Sequence, residues 1–392
     1  MKLKSLEVVS LYDWCRPTDV AGLLDGGSAN VVWRAKRGGS VTLPPPDIID
    51  DPAEVAGIGD DCHDVALNVV KNVLRYEDRS VARLSDVVVR GGCRTVMLDE
   101  HLAIGESYHD KRAFEFIKAG PASHYAMVAP INVNGEQMPL EVKFYAAFEP
   151  DQIIDEPAVL VDSRWSETYF HWILETLPRL WYRDALPELA DVPVIVPGQP
   201  TRFQRETLDA LGVTRTIPFT GQAIRAKRLY FPTFMAPTSF STEMMDWIKE
   251  SLCRVFGLDP DAKPSRLIYA SRRKARARHI LNEAEIAPML AARGFEVMCL
   301  EDLSLRDQVA LFSQAKVVVA PNGSGTANFV FAPRGAALID LVTLPNPHPI
   351  FWMMAKLKSC RYGRLPCQTT QDGRADMVVD AKRLTAMLDQ VM

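Results

Sequence analysis

The chain has 392 residues, 47% hydrophobic and 24% charged, ordinary globular usage that excludes a disordered or fibrous protein. Forty-five basic against 49 acidic residues leave a net charge of -4, which argues against a dedicated nucleic-acid binder with its broad basic face. Charge is nevertheless dense in one place, where Arg272, Arg273, Lys274, Arg276 and Arg278 crowd together. At roughly 150 residues per domain the length predicts two or three structural units. Uncharged stretches such as 317–333 and 341–355 fall short of the roughly 18 apolar residues that a membrane span needs. The first residues lack the apolar core of a secretion signal, so the expectation is a cytoplasmic protein. Seven cysteines without any CxxC pair agree with reduced thiols in that compartment.

In chain order, residues 1–150 read as a β-rich N-terminal region, with strands expected at 31–34, 81–90, 94–98 and 140–148. Leu43-Pro44-Pro45-Pro46-Asp47 is a stiff connector, because each proline restricts itself and its predecessor. From about residue 155, strands and helices alternate. Strands are expected at 158–161, 192–196 and 223–231, and helices at 166–185, 202–211 and 241–256. The Pro- and Gly-bearing stretch 257–264 reads as a hinge. Beyond it come a strand at 266–270 and a helix opened by Asn282 with Glu285 and stopped at Gly294. A strand at 295–300 and a helix opened by Ser304 with Asp307 and running to about 315 follow. Strands at 316–320 and 336–342 flank a Gly-rich loop and a short helix. Strands spaced by helices pair in parallel, so the class is α/β: two Rossmann-like lobes, 151–256 and 257–345, with a ligand cleft between them. The segment 346–392 is expected to pack back on the lobes.

Three clusters can carry chemistry. Glu167, His171 and Glu175 recur every four residues on the helix 166–185, among Trp165, Tyr169 and Trp172. A histidine with carboxylates one turn away suits a general base. The same spacing equally describes a helix-stabilising ladder on a solvated face, and Pro178 should kink the helix. The second cluster is the basic run. Arg272 follows a strand end, where parallel sheets bind ligands, and Arg278 leads toward the next helix. These two guanidinium groups suit a diphosphate clamp, and a solvated basic loop is the alternative. The third is Asn322-Gly323-Ser324-Gly325-Thr326-Ala327-Asn328, a loop whose glycines let the backbone approach an anion at a helix start. It mimics a dinucleotide fingerprint, with Asp340 expected at the end of the following strand, but its third glycine is replaced and it does not open its domain. A dehydrogenase therefore fits poorly, and the glycines alone could simply make a tight turn. Neither a Walker loop, nor HExxH, nor GxSxG occurs, and no Asp-x-Asp pair sits at a strand end, so no metal is expected.

Together and in this order, these segments resemble glycosyltransferase family 61, the group that includes bacterial capsular polysaccharide biosynthesis proteins. Tyr169-Phe170-His171-Trp172 with Glu175 and Leu177-Pro178-Arg179-Leu180 resembles one block of the family. Ser271-Arg272, Arg278 and Asn282-Glu283 resemble a second, and Glu301-Asp302-Leu303-Ser304 with Gln308 and Phe312 the segment that follows. The similarity covers roughly 155–345. The family usually has His-Gly-Ala-Gly-Leu where this chain has Asn322-Gly323-Ser324-Gly325-Thr326, so an imidazole is lost and the glycines kept.

The resemblance implies a GT-B fold and an inverting, metal-independent transfer of a sugar from a nucleotide donor, with UDP the expected carrier and no further cofactor. In that scheme the first lobe serves the acceptor and the second the nucleotide sugar. The base would be His171, oriented by Glu175 or Glu167, or Glu175 itself. The donor would be held by Arg272, Arg278, Asn282, Glu301, Asn322, Gly323, Ser324, Gly325 and Asn328. The implied partners are a nucleotide sugar and a glycan or lipid-linked saccharide acceptor met at the inner membrane face, and no nucleic acid. Two alternatives stay open: an inactive nucleotide- or glycan-binding relative, favoured by Asn322, and a polysaccharide pyruvyltransferase-like enzyme.

Overall fold

The computed structural model describes residues 3–49, 63–64, 69–70, 73–76, 78–91, 94–99, 102–104, 125–127, 142–145, 150–163, 165–233, 241–343 and 349–392. Two compact units share the chain. One comprises Met1–Gly39, Glu77–Glu167 and Glu175–Ala236; the other comprises Ser40–Tyr76, Thr168–Leu174 and Pro237–Met392. Of the strand expected at 140–148, the described part is a strand, Val142–Tyr145; Cys62 and Cys93 lie outside the described residues. The five described cysteines are buried, and none is in a disulfide. Among the described residues no helix is long and apolar enough to cross a membrane.

The first unit is organised by one large mixed sheet. Strand β1 (Val31–Lys36) pairs antiparallel with the long β2 (Arg79–Arg90). The chain then forms β3 (Ala158–Leu160), β4 (Val194–Pro197), helix α1 (Arg202–Ala210), β5 (Thr216–Phe219) and β6 (Ala223–Pro232). Strand β6 pairs antiparallel with β2 on one side and parallel with β3 on the other, and β4 and β5 extend the parallel block. The N-terminal strands therefore continue the sheet of the expected first lobe. Leu84, Val89, Leu160, Ile195, Ile224 and Phe231 belong to the apolar cluster that cements the two parts.

Between β3 and β4 the expected helix at 166–185 is broken into four pieces. An α turn at Tyr169–His171 opens into a π turn at Trp172–Thr176, tightens to 3-10 over Leu177–Trp181 and returns to α at Tyr182–Ala185. Pro178 is the cause, since it has no N–H to donate and its ring crowds the preceding turn. The wide turn before it and the tight turn that starts on it absorb the mismatch. The register slip abolishes the polar stripe expected from the four-residue spacing. Glu167 is exposed, His171 half-buried and Glu175 fully buried.

The second unit is a doubly wound sheet. Helix α2 (Thr242–Phe256), capped by Ser241 Oγ on Met244 N–H at 3.3 Å, ends at Gly257 in the left-handed region at φ 66°. There follow β7 (Arg266–Ser271), α3 (Glu283–Ala292), β8 (Glu296–Cys299), α4 (Leu305–Phe312), β9 (Ala315–Pro321), β10 (Ala337–Thr343), α5 (Ile350–Leu357), β11 (Arg361–Thr369), β12 (Met377–Val378) and α6 (Ala381–Leu388). The strand order is β8-β7-β9-β10-β11-β12, parallel as far as β11, with β12 antiparallel at the edge. Val317, Val319, Ile339, Leu341 and Leu365 alternate onto one face and share a core with Ile286 and Leu290 of α3 and Leu384, Met387 and Leu388 of α6. Helix α2 packs against α4 and the short helix Ser324–Phe331, which is why it belongs here and not with the expected first lobe. The C-terminal segment supplies two strands of this sheet. Its α5 and β11 also anchor the Pro-rich connector: Trp352 Nε1 donates to Pro44 O at 3.0 Å, and Asp47 accepts from Tyr362 N at 2.7 Å.

Of the two expected helix starts, Ser304 behaves as a cap, its Oγ accepting from Asp307 N–H at 3.1 Å. Asn282 stands at the N-cap position of α3 as expected, but its side chain makes no capping bond. Its carboxamide pairs with the backbone of Val379 in both directions, accepting from N–H at 3.0 Å and donating to O at 2.9 Å. A side-chain amide presents the same donor and acceptor as a peptide unit, so it substitutes for a strand neighbour there. Asn282→Ala strands both groups of Val379 and should cost about 1–3 kcal/mol. The expected result is a thermal midpoint several degrees lower, measured by calorimetry.

Candidate functional site

Strand β7 is followed by a crossover to β8 on one side, whereas β9 lies on its other side. The connections leaving the carboxyl ends of β7 and β9 thus part in opposite directions, and at such a switch point a parallel sheet opens a ligand crevice. Ser271-Arg272 leaves the first strand and Asn322-Gly323 the second.

The two loops are fitted to one another through arginines. Gly323 is extended, at φ 171°, so it is not required for conformation; its bare backbone instead makes room for the Arg272 guanidinium, which an added Cβ would displace. A Cβ there would lie 2.8 Å from Arg272 Cζ, because the guanidinium rests on the glycine backbone. Arg272 Nε and Nη2 also donate to Ala277 O at 3.2 and 3.0 Å, closing the basic loop on itself. Arg278, in the left-handed region at φ 61°, donates from Nη1 to Asn322 O at 2.9 Å and Oδ1 at 3.2 Å. Burial, and next the charge of Arg278, hold Arg272 below the ordinary arginine pKa, with Glu301 opposing. Two partly buried cations held side by side make a site that favours an anion. The rest of the basic run faces solvent: Arg273, Lys274 and Arg276 are exposed, and Lys274 pairs with Asp302 at 2.5 Å.

Beside the arginines is an open depression of about 290 Å³, lined by Ala270, Ser271, Arg272, Leu300, Glu301, Pro321, Gly325 and Thr326. Glu301 is exposed on the turn after β8. Ser324 and Gly325, partly exposed, begin the short helix, whose first N–H groups have no carbonyl one turn back and suit an anion.

That short helix also carries the histidine turn. Tyr169–His171 packs against Ser324–Phe331, and Tyr169 OH donates to Asn328 Oδ1 at 2.6 Å. Asn328 is fully buried, and its Nδ2 donates to Gln308 Oε1 at 2.8 Å and Gly325 O at 3.1 Å. Its amide is thereby committed to joining the histidine turn, α4 and the glycine loop. Tyr169 was legible only as one of the inward aromatics; its hydroxyl partner lies 159 positions away. His171 and the arginine pair thus belong to one unit, whereas sequence order assigns them to successive lobes.

Glu175 and Glu167 belong to the other unit. Glu175 is buried near Arg179, whose pKa burial lowers to about 9 against the opposing charges of Asp162 and Glu175. Asp162 in turn accepts from Ser166 Oγ at 2.6 Å and Arg94 Nε at 2.5 Å. This network buttresses the loop after β3. Asp340 does not stand at a strand end, as a ribose-binding acid would; it is mid-strand, buried, and bonded to Asn322 and Tyr362. Among the described residues no group of three His, Cys, Asp or Glu side chains gathers in metal-binding fashion.

Residues 169–339 match the family model described as Glycosyltransferase 61. No curated protein matches the chain. The matched span starts at Tyr169 and runs through the histidine turn, the arginine loop and the glycine loop, the parts that the geometry joins. The match covers less than half of the chain; it supports a glycosyltransferase of family 61, a class that implies a sugar donor and an acceptor as substrates.

Proposed function

We propose that the chain is an inverting glycosyltransferase of the GT-B class that takes its sugar from a nucleoside diphosphate donor, UDP-linked in the first instance. The observation that carries this reading is the pair Arg272 and Arg278, half-buried at the β7/β9 switch point and seated on Gly323 and Asn322. As the bond between the anomeric carbon and the diphosphate breaks, negative charge grows on the leaving phosphate. Fixed guanidinium and N–H donors, at Ser324 and Gly325, stabilise that charge without reorganising. This arrangement supports transfer that does not require a metal ion. Glu301, at the rim of the depression, is positioned to accept from donor ribose hydroxyls. A parallel block with crossover helices in each unit supports the GT-B class.

The base in this scheme is His171, which removes the acceptor hydroxyl proton as the oxygen attacks opposite the diphosphate. Its partial exposure favours it over Glu175, which is buried beside Arg179. The acceptor is a glycan or lipid-linked saccharide, and the reaction is cytoplasmic, at the inner face of the membrane where such an acceptor is anchored. A thermal-shift screen of nucleotides and nucleotide sugars tests the donor class, because a ligand of the native state raises its midpoint by mass action.

Three substitutions separate the roles. His171→Ala should lower kcat at least about 100-fold, the low end for general acid–base catalysis, with donor Kd little changed. An unaltered kcat removes His171 from the chemistry. Arg272→Ala should weaken UDP binding about tenfold or more, as loss of a charge-assisted contact does, and an unchanged calorimetric Kd refutes the diphosphate role. Tyr169→Phe removes the bond to Asn328 and should cut kcat by about three- to tenfold, the worth of one such bond, while leaving Kd as it was.

A further inference from the structure

One buried acid of the second unit takes no part in that chemistry. Asp340 is 1% exposed on β10 and points away from the face on which its neighbours Ile339 and Leu341 enter the core. Its Oδ2 accepts from Asn322 Nδ2 and from Tyr362 OH, both at 3.1 Å. Its Oδ1 is buried without a hydrogen-bond partner. A guanidinium only donates, so the Asn322 oxygen must face Arg278 and its NH2 must face Asp340. A continuous line of hydrogen bonds therefore runs from the buried carboxyl through Asn322 to the anion site. The other groups that face the carboxyl are Tyr362, whose phenol burial and Asp340 push well up, and Arg364, its register neighbour on β11.

With no donor bound, the nearby cations Arg278 and Arg364 support the ionised carboxylate. A diphosphate on Arg272 and Arg278 neutralises part of that support and adds repulsion, and both effects favour the protonated acid. We propose that Asp340 takes up a proton when the anionic donor binds, so that donor affinity rises as the solution becomes more acidic. The proton goes to the unpartnered Oδ1. Oδ2 goes on accepting from Asn322 and Tyr362, and the seat of Arg278 survives the change. Burial places Asp340 to respond near neutrality, raising it to about 6 against the lowering effects of Asn322, Tyr362, Arg364 and Arg278. Linkage fixes the sign: a ligand that raises the carboxyl's proton affinity must itself bind the protonated protein more tightly.

The inference rests on the diphosphate site proposed above, and the test separates the two. The probe is P1,P2-dimethyl diphosphate, which carries the diphosphate charge without base or sugar and does not titrate between about pH 5 and 8. Calorimetry of the full chain at pH 6.5, in buffers of different ionisation enthalpy, should show uptake of a fraction of a proton on binding. Affinity should be about three- to tenfold higher at pH 5.5 than at pH 8, a shift of half to one pKa unit in the bound state. Asp340→Asn should bind the probe with neither uptake nor pH trend. Tyr362→Phe, which removes one donor to the carboxylate and spares the charge, should move the pH trend to higher pH. Binding without proton uptake, uptake that persists in Asp340→Asn, or a trend that Tyr362→Phe leaves in place overturns the proposal. Failure of the probe to bind at any pH overturns the diphosphate site itself.

Discussion

Two guanidinium groups cannot share a half-buried crevice unless the backbone is shaped to receive them. The second unit meets that constraint with a glycine and an asparagine at the end of β9. Arg272 lies flat on Gly323, where a single added carbon would collide with it, and Arg278 grips both the carbonyl and the side chain of Asn322. The left-handed backbone of Arg278 and the closure of Arg272 on Ala277 keep the charges from swinging into water, where ion pairs and charges of this size are worth little. Their attraction for an anion thus comes from position. Arg273, Lys274 and Arg276 carry the same charge in the same loop and are exposed.

The rest of the unit holds that crevice open. Strand β7 turns one way and β9 the other, which is the arrangement that leaves a crevice at their carboxyl ends. The helix that starts in the glycine loop ties the site to the histidine turn through Asn328, which bonds Tyr169 on one side and Gln308 of α4 on the other. Beneath it, Asp340 orients Asn322. A polar side chain that is fully buried is costly unless its partners are satisfied, and Asn328 spends its whole amide on contacts within the fold. Asn322 is a neutral coupler between a carboxylate and a guanidinium.

Much of the second unit was legible beforehand because its elements are regular. Runs such as 316–320 and 336–342, apolar apart from Lys316 and Asp340, read as buried parallel strands, and Ser304 with Asp307 marks a helix start that tertiary contacts had no reason to override. The pattern failed where one residue had two uses. Asn282 had the spacing of a cap and was recruited instead by the backbone of Val379, nearly a hundred residues away. The stripe Glu167, His171 and Glu175 assumed one uninterrupted helical period, and Pro178 redistributed the backbone around it into wide and tight turns.

Composition, spacing and order by themselves determined that this is an α/β chain with a basic loop after β7, a glycine loop after β9 and a histidine among aromatics, because such features are local. Which of five clustered cations are held in place, how three polar residues on one segment divide between solvent and core, and which unit carries the histidine were decided only by the fold. Each of those outcomes depends on contacts between residues that are distant in the chain: Arg278 with Asn322, Tyr169 with Asn328, Asn322 with Asp340. Local periodicity carries no record of such pairs, and the chemistry of the site is made from them.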